Sequence, residues 1–473
     1  MNEETRTLLT APLPRLMIRY GLPCILSLLA AALYNIVDQI FIANAPDLGS
    51  AGNAANTAVF PLTIIALAIA TMIGDGAGAM MSIRLGEGNR EKASATAMTA
   101  VVLSLIAGIS LMILYLGFAD PILTVFGANV NTRTLACARE YFFWITLGIP
   151  FYVFSQMMNP LIRSDGSPTL AMTVLVTGAL VNCILDPVMI FLLHMGMAGA
   201  AIATILGQLT AAVLSLWYMT RWKSISNVRP DFACTAQILT CGLTSFFSQI
   251  SIVISMMAVL QMTLQTSALD PVFSRPDMAQ IPMAVIGIVM KFFQIAMSAA
   301  IGLAAGCIPV TSCNLGAGNR SRLLDLMKYM LVTEAVTGLI FSLFFILCPD
   351  LITTVFGGQT EGREYMAFSR TCIRCFLLLL PLSCMNKATF IFLQSLGFGL
   401  LSAGLSILRE IVLGAGLPVL FGMIGGLYGM LWFMAGADLI TAAVQIPVWI
   451  WTIRKLKSGL LPLADAGKAL AGA

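Results

Sequence analysis

Long apolar runs, broken by Gly, Pro, Asn or charged residues, fall near positions 15–43, 54–83, 94–117, 135–160, 168–194 and 197–221. Six more follow near 235–266, 279–311, 323–348, 364–394, 398–424 and 427–455. Each is longer than the roughly 20 residues a helix needs to cross the hydrocarbon of a bilayer. A membrane barrel would show apolar–polar alternation over strands of about ten residues instead. The pattern predicts an all-α integral membrane protein with about twelve transmembrane helices.

Composition supports this reading. Of 473 residues, 59% are apolar and only 10% charged, against about half and a quarter in a soluble domain. The amino-terminal stretch is polar for too long to be a signal peptide, so the first helix is expected to be retained. The formal net charge is +4, but the position of the bases is more telling. Arg6, Arg15, Arg19, Arg84, Arg90, Lys92, Arg163, Arg221, Lys223, Arg229, Arg320, Arg322, Arg454, Lys455, Lys457 and Lys468 fall on one side. Arg133, Arg275 and Arg363 fall on the other. This bias predicts that both termini are cytoplasmic. It is an orientation signal and calls for no nucleic-acid partner. The 11 cysteines lie mostly in apolar runs and read as small buried hydrophobes, the C-x-x-C at Cys372 and Cys375 included.

The chain is written twice. LGEGNREKA (Leu85–Ala93) returns as LGAGNRSRL (Leu315–Leu323), and DPILTVFG (Asp120–Gly127) as DLITTVFG (Asp350–Gly357). In the same register Pro150 matches Pro381, Gly166 matches Gly397 and Pro187 matches Pro418. Six crossings per half make the halves parallel repeats about an axis along the membrane normal. The expected organisation is an N-lobe at 1–221, a linker at 222–234, a C-lobe at 235–457 and a tail at 458–473. The two six-helix bundles would enclose a central cavity and open it to alternate sides.

An ionisable group inside a membrane is costly and marks a functional site by default. Asp38 and Asp186 are predicted to reach similar depth, counting about 1.5 Å per helical residue. Tyr34 and Asn35 precede Asp38, Asn182 lies one turn before Asp186, and Thr204 comes to a comparable level. In the second half the matching positions hold Val259, Leu413, Leu417 and Met434, so the fold tolerates apolar residues there. Two close carboxylates in low dielectric hold a shared proton or a cation; H⁺ and a metal ion such as Na⁺ both fit Asp38, Asn182, Asp186 and Thr204. The second half has Lys291, Glu334, Arg374, Lys387, Arg409 and Glu410 in its apolar runs. Lys291 and Glu334, near mid-membrane, either pair or face the cavity. Arg409 and Glu410 are adjacent, which predicts different helix faces and no mutual neutralisation.

YNIVDQIFIA (Tyr34–Ala43), SIRLGEGNREKA (Ser82–Ala93), NPLIRSDGSP (Asn159–Pro168) and NCILDPVMIF (Asn182–Phe191) resemble the multidrug and toxic compound extrusion (MATE) transporters. The likeness extends over nearly the whole chain and is nearest the prokaryotic branch with acids in the amino-terminal lobe. It implies a plasma-membrane location in a prokaryote, a cation site at Asp38, Asn182, Asp186 and Thr204, and a drug cavity faced by Asn159. The placement of Tyr34, Asn35, Lys291 and Glu334 along the chain makes them further candidates for lining a substrate cavity.

The expected function is H⁺- or Na⁺-coupled antiport that exports amphipathic, cationic small molecules. A lipid-linked glycan flippase of the same superfamily is the alternative. No cofactor is expected, and no G-x-x-x-x-G-K-[ST] is present to bind ATP. An enzyme is not expected, because the single histidine, His194, has no partnered nucleophile or metal cluster.

Overall fold

A computed structural model of the chain describes residues 3–45, 48–126, 132–221, 229–275, 281–351 and 363–458. The first half of the repeat supplies α1 (Glu3–Thr10), α2 (Leu13–Asn44), α3 (Gly49–Gly86), α4 (Arg90–Gly117), α5 (Ala119–Val125), α6 (Thr132–Ser164), α7 (Pro168–Pro187) and α8 (Gly196–Arg221). The second supplies α9 (Thr235–Ala268), α10 (Ile281–Gly306), α11 (Ile308–Gly316), α12 (Arg320–Leu347), α13 (Arg363–Leu377), α14 (Leu380–Ser395), α15 (Gly399–Ile407), α16 (Gly414–Met430) and α17 (Phe433–Ser458). Wider π turns follow α7 at Val188–Leu192 and join α15 to α16 at Leu408–Leu413. No strand occurs among the described residues.

Among the described residues, eleven helical stretches are long and apolar enough to span a membrane. The remaining expected span, near 135–160, is α6, a helix of 33 residues. Its length suffices, and Arg139, Glu140, Gln156, Asn159 and Arg163 dilute its apolar content. Helix α4 shows how the chain meets lipid: it buries Ser94, Thr96, Thr99 and Ser104 and exposes Leu105, Ile106, Ile109 and Ile113. Polar groups turned inward and aliphatic groups outward reverse the pattern of a water-soluble helix, as hydrocarbon solvent demands.

The chain forms two compact units. One comprises Met1–Gln249, Ala305–Asn319 and Gln394–Gly399; the other comprises Ile250–Ala304, Arg320–Leu393 and Leu400–Ala473. These units and the halves of the repeat are different divisions of the chain. The first unit therefore contains a seam between the halves.

The seam is backbone on backbone. A Cβ added to Gly86 of α3 would strike the Cys313 carbonyl of α11, and one added to Gly316 would strike the Ile83 carbonyl of α3. Further along, Gly76 faces the Ile238 carbonyl of α9, and Gly242 faces that of Met72. Only glycine permits such an approach. The two G-x-G-N motifs close this end alike, with Gly88 and Gly318 left-handed at φ 80° and 72°. The next residue in each bonds back into its helix: the Asn89 and Asn319 amides donate to the Arg84 and Asn314 carbonyls, both at 2.9 Å. This is a Schellman closure, which explains the conserved register of the motif in both halves.

Candidate functional site

Helices α7 and α8 approach closely where Gly178 meets Gly207. A Cβ built on either would stand 2.8 Å or 2.5 Å from the other's carbonyl. One turn beyond Gly178, Asn182 faces α8 and donates its amide to Thr204 Oγ1 at 3.2 Å and to Asp186 Oδ1 at 3.1 Å. Asp186, one turn further on the same face, has no exposed surface. The Thr204 hydroxyl donates in turn to the Ala200 carbonyl at 3.0 Å. From α2, Asp38 reaches the same point, and its carboxyl lies within hydrogen-bonding reach of Asp186. The four residues named from the sequence thus converge inside one unit.

Among the described residues, three oxygens in this cluster are buried without a donor: Asp38 Oδ1, Asn182 Oδ1 and Asp186 Oδ2. A buried acceptor without a donor is costly to keep. A shared proton satisfies two carboxyls directly. A hard metal ion would take the three open oxygens together with the Thr204 hydroxyl. Beyond the cluster, Pro187 ends α7 in the Val188–Leu192 π turn, a local widening that recurs at functional sites. Phe191 of that turn packs edge-on against Phe41 of α2 at 6.2 Å.

In the second unit the matching positions are core. Val259, Leu417 and Met434 belong to its main hydrophobic cluster, with Leu413 packed against it.

Other expected residues fall elsewhere. Asn159 is buried and donates to the Ala171 carbonyl at 2.8 Å, tying α6 to α7. Glu334 is wholly buried on α12. The side chains of Tyr34, Asn35 and Lys291 lie outside the described residues.

Arg163 corrects the reading that placed it among the basic loop residues. It is buried, 3.5 Å from Asp75 of α3 and bonded to Cys24 of α2. Ser245 of α9 donates to Asp75 at 2.7 Å, and Gln394 donates to Ser245 at 3.1 Å. Arg163 and Gln394 are repeat partners, as are Cys24 and Ser245, so one polar chain links both halves through Asp75. Sequence reasoning passed over Asp75, although an acid amid the 54–83 run was the signal.

Arg409 and Glu410, expected on different faces, in fact pair with each other. Arg409 Nη1 lies 3.1 Å from Glu410 Oε2, because both sit in the wide Leu408–Leu413 turn, where neighbouring side chains diverge less than in an α-helix. Arg409 Nε donates to Asp438 Oδ1 at 3.0 Å, Lys387 pairs with Glu410, and Ser383 donates to Asp438. Two cations and two anions close a buried lattice. Asp438 was missed, and Arg374 is exposed.

The model of the MatE family matches residues 23–188 and 245–420. The chain belongs to the MatE family. It is a multi-pass membrane transporter and not an enzyme. The multidrug export protein MepA of Staphylococcus aureus (strain MRSA252) is 24% identical over 444 residues, 91% of this chain and 92% of the relative. MepA of Staphylococcus haemolyticus (strain JCSC1435) is 23% identical over 436 residues, 90% and 91% of the two chains. Among solved structures, MATE in complex with MaL6 aligns at TM-score 0.87 with 24% identity, covering 97% of this chain and all of that one. An outward-facing multidrug resistance MATE transporter aligns at 0.87 with 23% identity, over 97% and 99%. The matched segments of the MatE chain contain Asp38, Asp75, Asn182 and Asp186 in one half and Glu334, Lys387, Arg409 and Glu410 in the other.

Proposed function

We propose that this MatE transporter exports amphipathic, cationic organic compounds from a prokaryotic cell in exchange for H⁺ or Na⁺. The supporting observation is the convergence of Asp38 and Asp186 with Asn182 and Thr204, leaving three buried oxygens open. The MepA relatives, named as multidrug export proteins, support the substrate class. Orientation rests on charge: with the basic loops inside, both termini and the glycine seam lie on the cytoplasmic side.

The cation loads at the Asp38–Asp186 site from outside and weakens substrate binding; the loaded carrier then returns. One H⁺ falling through about 100 mV yields about 2.3 kcal/mol, and one pH unit adds about 1.4 kcal/mol. Moving a monovalent cation outward consumes the first of these, so a one-for-one exchange sustains about a tenfold substrate gradient per pH unit.

Proteoliposomes settle the matter. Efflux of ethidium against imposed pH or Na⁺ gradients identifies the ion, and Asp186→Asn is expected to abolish the dependence. Gradient-dependent export at the wild-type rate in that variant would refute the assignment.

A further inference from the structure

Glu334 stands at the middle of α12, about 20 Å from either helix end at roughly 1.5 Å per residue. It belongs to the inward stripe of that helix, with Met327, Met330, Gly338 and Ser342. It has no exposed surface, and among the described residues neither carboxyl oxygen has a hydrogen-bonding partner.

The twin half shows what this position needs. One turn beyond Glu334, Gly338 packs its bare Cα against Pro381 of α14. The first unit builds the same crossing from Gly108 of α4 and Pro150 of α6. Ser104 takes the place of Glu334 there, equally buried, and its hydroxyl donates to the Val101 carbonyl at 2.8 Å. The crossing is therefore satisfied by a small residue that its own helix accommodates. A carboxyl is not a requirement of the packing.

The neighbouring charges are already spent. Helix α14 presents Cys384 and Lys387, the π turn presents Arg409 and Glu410, and α17 presents Asp438. The four charged groups neutralise one another in the lattice. On α13, Cys372 and Cys375 are free thiols, and Arg370 and Arg374 are exposed. On α12 itself Asp325 and Lys328 are exposed. The Lys291 side chain of α10 lies outside the described residues. An ionised carboxylate with no donor in low dielectric is strongly disfavoured, so the pocket favours the neutral acid. Among the described residues no cluster of three or more His, Cys, Asp or Glu is placed to hold a metal ion there. The ligand that fits is a proton.

We infer that Glu334 is a second proton-binding site, separate from the Asp38–Asp186 site and discharged during the transport cycle. The transport part of this inference rests on the cation-coupled reading above; the protonation part stands without it.

Infrared spectroscopy of the purified transporter tests protonation. A neutral-carboxyl stretching band at pH 7 should persist in the Asp38→Asn/Asp186→Asn double variant and vanish in Glu334→Gln and in Glu334→Ser, the twin residue. A band unchanged in both Glu334 variants overturns the site, as would be the case if Lys291 held Glu334 ionised. Reversal potentials in proteoliposomes test use, with Glu334→Gln expected to move one proton fewer per ethidium. Loss of the band with unchanged stoichiometry also overturns the inference, leaving an inert buried acid. Undiminished coupling in Asp186→Asn would sink the first site alone, because the Glu334 band is read without transport.

Discussion

Gly86 and Gly316 occupy the same place in the two repeats, and each rests on the backbone of the other's helix: Gly86 on the Cys313 carbonyl, Gly316 on that of Ile83. Cys313 and Ile83 are themselves repeat partners. The seam is thus a two-fold contact made without side chains, and a branched residue at either glycine cannot be absorbed by a rotamer change.

Gly316→Val is therefore expected to force the seam apart while leaving each helix intact. Cys313, a native thiol with no exposed surface, reports on it. Its maleimide labelling, located by peptide mass spectrometry, should rise at least tenfold, and transport should fall. Labelling that stays at the wild-type rate would mean the seam yields in some other way.

Arg163 is buried and Asp75 mostly so, with 15% of its side chain exposed, so removing one partner strands the other. Arg163→Ala should cost about 3–5 kcal/mol of stability. The twin half holds Ala305 and Gln394 at these positions. The double variant Asp75→Ala/Arg163→Gln should accordingly recover at least half of that loss in thermal unfolding. Strict additivity of the single substitutions would show that the pair is not coupled.

The proposed cation site admits a sharper exchange. Replacing Asp38, Asn182, Asp186 and Thr204 by their twins Val, Leu, Leu and Met should give a protein that folds and inserts. The second unit already packs those residues as core. Ion-driven efflux should drop more than tenfold, a change of at least about 1.4 kcal/mol. An unfolded product would show that the acids are structural.

The spans were legible because hydrocarbon imposes a strong, local rule: every crossing is a long apolar helix. The convergence of Asp38, Asn182, Asp186 and Thr204 was legible because the repeat supplies its own control in Val259, Leu413, Leu417 and Met434. Arg163 was hidden for the opposite reason. A base near a helix end looks like a loop charge until an acid on another helix is seen to face it. Arg409 and Glu410 were misread because their adjacency was judged on α-helical geometry, and nothing in the letters announces a π turn.

The lattice of the second unit gives one more expectation. Asp438→Asn removes the charge facing Arg409 while keeping the shape, and should lower the unfolding temperature by several degrees, since an uncompensated buried cation costs about 3–5 kcal/mol. An unchanged transition would show that Glu410 alone suffices for both bases.

That lattice also bears on how the chain is made. Lys387, Arg409 and Glu410 emerge from the ribosome well before Asp438, the only member contributed by α17. Until α17 enters the bilayer, two bases must share one acid. Helix α17 is thus the keystone of biogenesis, and a nascent chain stalled short of it would present quality-control proteases with an unbalanced positive charge in lipid.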